Sequence, residues 1–191
     1  AKFNFSTQFT NGYAYPNNDV AISAPFAPAY FFLGIGAEYY NKEEKLKFYL
    51  SPLTLKNTLV LNQRLANEGA FGVNKALFDA TGNIIRKGKK SRTEIGILLT
   101  NEWEVEIYKN IIFENRLSLY SDYINKFGNI DINWQLQFEM IVNEYVKATI
   151  GTNLIYDDDI KLKEEENGIQ VIKGSRIQLK QILGIGFEYS F

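Results

Sequence analysis

Apolar and polar residues alternate along most of this chain with a period of two, the spacing of a β-strand with one buried and one wet face. The last stretch, 176–191, shows it most fully. Ile177, Leu179, Leu183, Ile185, Phe187, Tyr189 and Phe191 share one parity, and Gln178, Lys180, Gly184, Gly186, Glu188 and Ser190 share the other. Seven further strands are predicted, over 2–10, 29–40, 45–54, 93–107, 111–120, 130–142 and 145–156. In 130–142, Ile130, Ile132, Trp134, Leu136, Phe138 and Met140 alternate with Asp131, Asn133, Gln135, Gln137 and Glu139. In 93–107, Ile95, Ile97, Leu99, Trp103, Val105 and Ile107 oppose Glu94, Glu102, Glu104 and Glu106.

Connections of two kinds separate these strands. Those at 41–44, 108–110 and 143–144 are short. Those at 11–28, 55–91, 121–129 and 157–175 are longer, and 11–28 holds three of the four prolines. The longest carries a predicted short helix over 63–68 and the basic run Arg86, Lys87, Lys89, Lys90 and Arg92. Pro52 has no N–H for a ladder, so pairing is expected to end or bulge there. Short turns at one end of the strands and long loops at the other are the asymmetry of an outer-membrane barrel. The predicted fold is therefore all-β: an antiparallel up-and-down transmembrane β-barrel of eight strands, with the C-terminus periplasmic and the long loops extracellular. In a soluble sandwich or lipocalin-like barrel the apolar face would turn inward. A small eight-strand interior has little room for so many Phe, Trp and Tyr side chains, and charged residues on the opposite parity suit a polar lumen.

Composition narrows the chemistry. The chain has 191 residues and a net charge of −1, so no global field points to nucleic acid. Cysteine and histidine are both absent, which removes disulfides, thiolate chemistry, His metal sites and Ser–His or Cys–His catalysis. Aromatics form 15% of the residues, in keeping with interfacial girdles. No run of 18 apolar residues occurs, so no transmembrane helix is expected. No signal peptide is visible at Ala1, which leads us to expect a processed or truncated chain.

A family resemblance appears in seven stretches: GYAYPNNDVAIS with FAPAY (12–30), FYLSPLT (48–54), GAFGV (69–73), GKKSRTEIG (88–96), NIDINW (129–134), LIYDDDIK (154–161) and QILGIGFEYSF (181–191). In these the chain resembles a family of small outer-membrane barrels of the Bacteroidota known only as a domain of unknown function. The resemblance implies one barrel domain over 1–191, further strands ahead of it, and a full barrel of about twelve strands. It implies no activity. Members often carry an Asp- and Gly-rich loop after the LIYDDDIK stretch. Here that loop reads KLKEEENGIQVIKGS, which weakens a calcium-loop reading.

The candidate sites are few. Glu94, Glu102, Glu104, Glu106, Glu114, Arg116, Asp131, Glu139, Lys147, Lys180 and Glu188 are expected to face the lumen as a mutually neutralising network, with a channel lining as the other reading. Asp157, Asp158 and Asp159 form a carboxylate cluster of the kind hard cations use, though consecutive acids point apart. Phe187, Tyr189 and Phe191 are expected to serve as a C-terminal assembly signal. The basic run is expected at the outer rim, first as a solvated edge, with lipid phosphates or an acidic partner as the alternatives. No catalytic pair, cofactor site or metal centre is predicted. The expected role is a non-enzymatic structural or accessory subunit of an envelope complex for barrel assembly, secretion or import, with a narrow solute pore as the alternative. The expected partners are outer-membrane lipid, the barrel-assembly machinery and other envelope proteins, not nucleic acid.

Overall fold

The strands begin and end close to where the alternation does. The computed structural model describes residues 1–124, 127–157, 161–166 and 169–189. Its elements are β1 (Lys2–Thr7), β2 (Gly12–Ala14), β3 (Asn17–Ser23), β4 (Ala29–Asn41), β5 (Leu46–Leu59), α1 (Gln63–Glu68), β6 (Leu77–Phe78), β7 (Ile84–Arg86), β8 (Ser91–Tyr108), β9 (Ile111–Asp122), β10 (Asp131–Ile141), β11 (Val146–Tyr156), β12 (Lys161–Glu166), β13 (Ile169–Ser175) and β14 (Gln178–Phe187). All eight predicted strands are present. They form one antiparallel sheet in the order β1-β4-β5-β8-β9-β10-β11-β14. The fold is all-β and antiparallel. Among the described residues no helix is long and apolar enough to cross a membrane.

Three expectations change. First, the sheet is open: β1 and β14 are its two edges, so eight strands do not close on themselves and β14 is an edge strand rather than a closing one. Second, the loops at 11–28, 55–91 and 157–175 contain the two-stranded hairpins β2–β3, β6–β7 and β12–β13. Their registers shift by one to three residues within a few positions, so they leave no clean alternation to read. Third, β5 does not stop at Pro52. The strand continues, but its buried side shifts phase, from Tyr49 and Ser51 before the proline to Thr54 and Thr58 after it. That is the signature of one extra residue in a strand, the bulge alternative of the sequence reading. Gly36 lies against this point. A Cβ there would fall 2.0 Å from the Leu50 carbonyl oxygen, which no side chain permits.

The chain divides into two compact units. Unit 1 comprises Ala1–Ile35, Leu53–Gly96 and Tyr123–Asn125. It holds the buried hydrophobic cluster of Ala24, Ala27, Val60, Leu65, Ala66 and Val73. The cluster forms because α1 is fixed at both ends. The Asn62 side chain accepts from the Leu65 and Arg64 amides, and Gly69, at φ 75°, ends the helix in the left-handed region with its N–H on the Ala66 and Leu65 carbonyls. Leu65 and Ala66 are the buried residues of this short helix. Burial of a side chain like Leu65 contributes about 1.5–3 kcal/mol. Around them, Leu61 N–H donates to the Phe26 carbonyl, Val60 N–H to Lys90 and Lys89 N–H to Asn74. Gly88 permits the close approach, since a Cβ there would fall 2.0 Å from the Ala66 carbonyl oxygen.

Unit 2 comprises Gly36–Pro52, Ile97–Asp122 and Lys126–Phe191. Its strands carry side chains in straight rows across the sheet. Phe113, Phe138, Ile150 and Leu183 are register partners in sequence on one face, as are Leu117, Trp134, Leu154 and Leu179. Trp103 meets Phe113 edge-on at 6.1 Å, and Phe113 lies 5.1 Å from Phe138. The opposite face carries the row Arg116, Gln135, Asn153 and Lys180.

Candidate functional site: the charged face of unit 2

Side chains on successive strand positions point to opposite faces, so the acids predicted for the lumen fall together on one face of unit 2. Five of them, Glu102, Glu104, Glu114, Glu139 and Glu188, have a cation within pairing distance. Lys45 bonds to Glu104, and Lys47 stands 3.9 Å from Glu102. Arg116 and Glu114, two positions apart on β9, pair at 3.2 Å. Lys147 bridges Glu139 at 3.5 Å and Glu188 at 3.4 Å. Lys180 stands opposite Asn153 and Asp131 opposite Tyr120. Glu106 accepts from the Asn110 amide and so closes the turn that precedes β9. Glu94 belongs to unit 1, where Arg92 holds it at 2.7 Å. The charged residues of this face thus form separate pairs and one triad. The counter-ions Lys45 and Lys47 were missing from the sequence reading. Lys47 was legible, because it takes the polar parity between Leu46 and Phe48.

Among the described residues, clefts open along this charged face. The largest, about 610 Å³, is lined by Glu38, Glu102, Glu104 and Glu114 and by Lys42, Lys45, Lys47 and Arg116. Four acids stand against four bases, so the lining carries no net charge. A field of one sign concentrates and selects ions, and a balanced lining does not. A second cleft of about 370 Å³ continues past Glu114 and Arg116 to Gln135, Gln137 and Asn153.

On the apolar face the register produces a feature that no single strand announces. Within the paired rows, β9, β11 and β14 carry the polar residues Asn115, Thr152 and Gln181 on their apolar parity. Asn115 and Thr152 both stand opposite Leu136, and Gln181 stands opposite Thr152, so the three breaks fall on one line. The Asn115 amide donates to Asn101 on β8 at 2.7 Å, and Trp134 Nε1 donates to the Asn115 carbonyl at 2.8 Å. The line therefore satisfies part of its own hydrogen bonding within the sheet.

The remaining candidates are apart from this face. Asp157 follows the end of β11, while Asp158 and Asp159 lie outside the described residues. No group of three acidic, His or Cys side chains suited to a metal occurs among the described residues. Phe187 and Tyr189 are exposed by 83% and 74%, and Tyr189 stacks on Tyr145 at 6.0 Å, whereas Phe191 lies outside the described residues. The basic run of 86–92 is held at the root of the β6–β7 hairpin in unit 1.

Comparison with protein-family models, with curated proteins and with solved structures gives no match.

Proposed function

We propose that the chain forms the strands of an integral outer-membrane β-barrel, and that this barrel acts without catalysis as a structural or accessory subunit of an envelope complex. The observation that carries the reading is the difference between the faces of unit 2. One carries in-register rows of large apolar side chains with Ile150, Leu179 and Leu183 open to their surroundings, 75% in the case of Leu183. The other carries ion pairs and every cleft described above. Water is a poor solvent for an apolar face of this extent, and a bilayer is a good one. The family resemblance supports the same location.

In this reading the bilayer tolerates no unpaired strand edge. Further strands therefore pair with β14 and β1, and the resemblance sets the total near twelve. Phe187, Tyr189 and Phe191 address the assembly machinery, and lipid covers the apolar face. The balanced charge of the largest cleft favours a filled interior over conduction, so the subunit reading stands ahead of a narrow pore.

The test is insertion of the full chain into bilayers with one face altered at a time. Ile150→Arg places a cation among the apolar rows and is expected to cost about 2–4 kcal/mol of folding into the bilayer. Gln137→Arg, on the charged face, is expected to fold nearly as the parent does. Equal tolerance of the two would exclude the assigned faces. Extraction of the tagged protein in mild detergent, followed by mass spectrometry, then separates the roles: a stoichiometric partner supports the subunit, and a lone conducting barrel supports the pore.

A further inference from the structure

The β6–β7 hairpin of unit 1 is apolar on its strands and basic at its root. Leu77 and Phe78 pair with Arg86 and Ile84, and Ile85 lies between them. All four apolar side chains are exposed, Phe78 by 54% and Ile85 by 69%. Hydrogen bonds close the turn between the strands. Asp79 Oδ1 accepts from the Thr81 and Asn83 amides and from the Thr81 hydroxyl, and Asp79 N–H donates to the Asn83 carbonyl. At the root, Arg86, Lys87, Lys89 and Lys90 are exposed, and the bond from Lys89 N–H to the Asn74 carbonyl brings Lys75 alongside. From 75 to 90 the chain has five cations and one acid, Asp79.

A two-stranded hairpin is marginal in water, and one that exposes four large apolar side chains is more so. The structure nevertheless anchors it firmly, through Gly88 against Ala66 and the Asn67 side chain on the Gly88 amide at 2.9 Å. We propose that this hairpin docks on a phosphate-bearing lipid surface, its apolar strands entering the headgroup boundary and the five cations meeting the phosphates. Charge decides the occupant. Each cation near an anionic leaflet adds attraction, and apolar area adds to it, whereas a second copy would oppose one basic root with another. The proposal rests on the bilayer location argued above and gives that location a specific contact at the rim.

The absence of cysteine allows a clean test. An environment-sensitive dye is attached to Ile85→Cys or to Ile150→Cys in the full chain, reconstituted in bilayers of phosphatidylcholine alone or with phosphatidylglycerol. The Ile150 dye reports insertion of the sheet in either lipid. The Ile85 dye is expected to be shielded from an aqueous quencher several-fold more in the anionic bilayer, and salt is expected to abolish the difference. Replacing Lys87, Lys89 and Lys90 together by Gln is expected to abolish it too, with the Ile150 signal unchanged. A shielded Ile150 dye with Ile85 equally open in both lipids overturns the hairpin proposal and leaves the barrel standing. An Ile150 dye open in both lipids overturns the barrel. If Ile85 is still shielded only in the anionic lipid, docking survives as the contact of a peripheral protein. Shielding that rises with protein concentration without lipid overturns it in favour of self-association.

Discussion

The two units bury their apolar surface in different ways. Unit 1 gathers small and medium side chains from segments far apart in sequence, residues 24–27, 60–66 and 73, into the hydrophobic cluster. Its stability comes from packing and from caps, as at Asn62 and Gly69. Unit 2 has longer rows and larger side chains, yet its apolar face keeps Leu183 and Phe187 open. Ladder hydrogen bonds and cross-strand pairs hold it together. Unit 1 is internally complete in the sense that its helix buries its own apolar face. Unit 2 leaves large apolar side chains of one face exposed. The contrast explains why the charged network, though extensive, is a weak stabiliser: exposed ion pairs gain little over their hydration.

The sharpest way to break this comparison is to empty the packed cluster. Leu65→Ala is expected to cost about 2–5 kcal/mol. Amide exchange should accelerate over 60–76 while β10 and β11 keep their protection; uniform acceleration would mean that the two units unfold as one. Glycine substitution comes next. Gly36→Ala forces a Cβ onto the Leu50 carbonyl and is expected to cost about 1–3 kcal/mol, as overpacking does. Gly184→Ala meets no atom within 4 Å, so its unfolding midpoint should stay at the parent value. Equal losses at both positions would show that the pinch at Leu50 is relieved elsewhere.

A smaller effect is expected from Arg116→Gln, which leaves Glu114 without its guanidinium. It should cost about 0.2–1 kcal/mol by chemical denaturation and less at high salt. The smallest concerns pH and belongs to unit 1. The Thr81 hydroxyl, the Asn83 and Thr81 amides and the Asn83 side chain hold the Asp79 carboxyl below its ordinary value of 3.8. A lowered folded value means that the carboxylate form is the stabilising one. Its contribution is present above the ordinary value and is lost as pH falls through the lower folded value. Amide protection at Thr81 and Asn83 should therefore fade below about pH 4, and Asp79→Asn should remove that pH dependence.

Much of unit 2 was legible in advance because strand alternation is a local property. Each Cβ points opposite to its neighbour whatever the partner strand is, so the faces of 130–142 and 176–191 could be assigned from spacing alone. The helix over 63–68 was legible for a similar reason, since its caps lie within one turn of its ends. Composition alone excluded histidine and thiolate chemistry.

Register and pairing were not legible, because they depend on hydrogen bonds between segments whose separation in sequence carries no signature. Asn115, Thr152 and Gln181 each interrupt the apolar stripe of a separate strand, and only the pairing of β9, β10, β11 and β14 puts them on one line. The partners of Glu102 and Glu104 come from β5 and the turn before it, more than 50 residues away in sequence, so tertiary structure alone chose them. The open edges at β1 and β14 belong to the same class of fact. Alternation fixes which face of a strand is apolar, and only the assembled sheet fixes which strands meet and which remain unpaired.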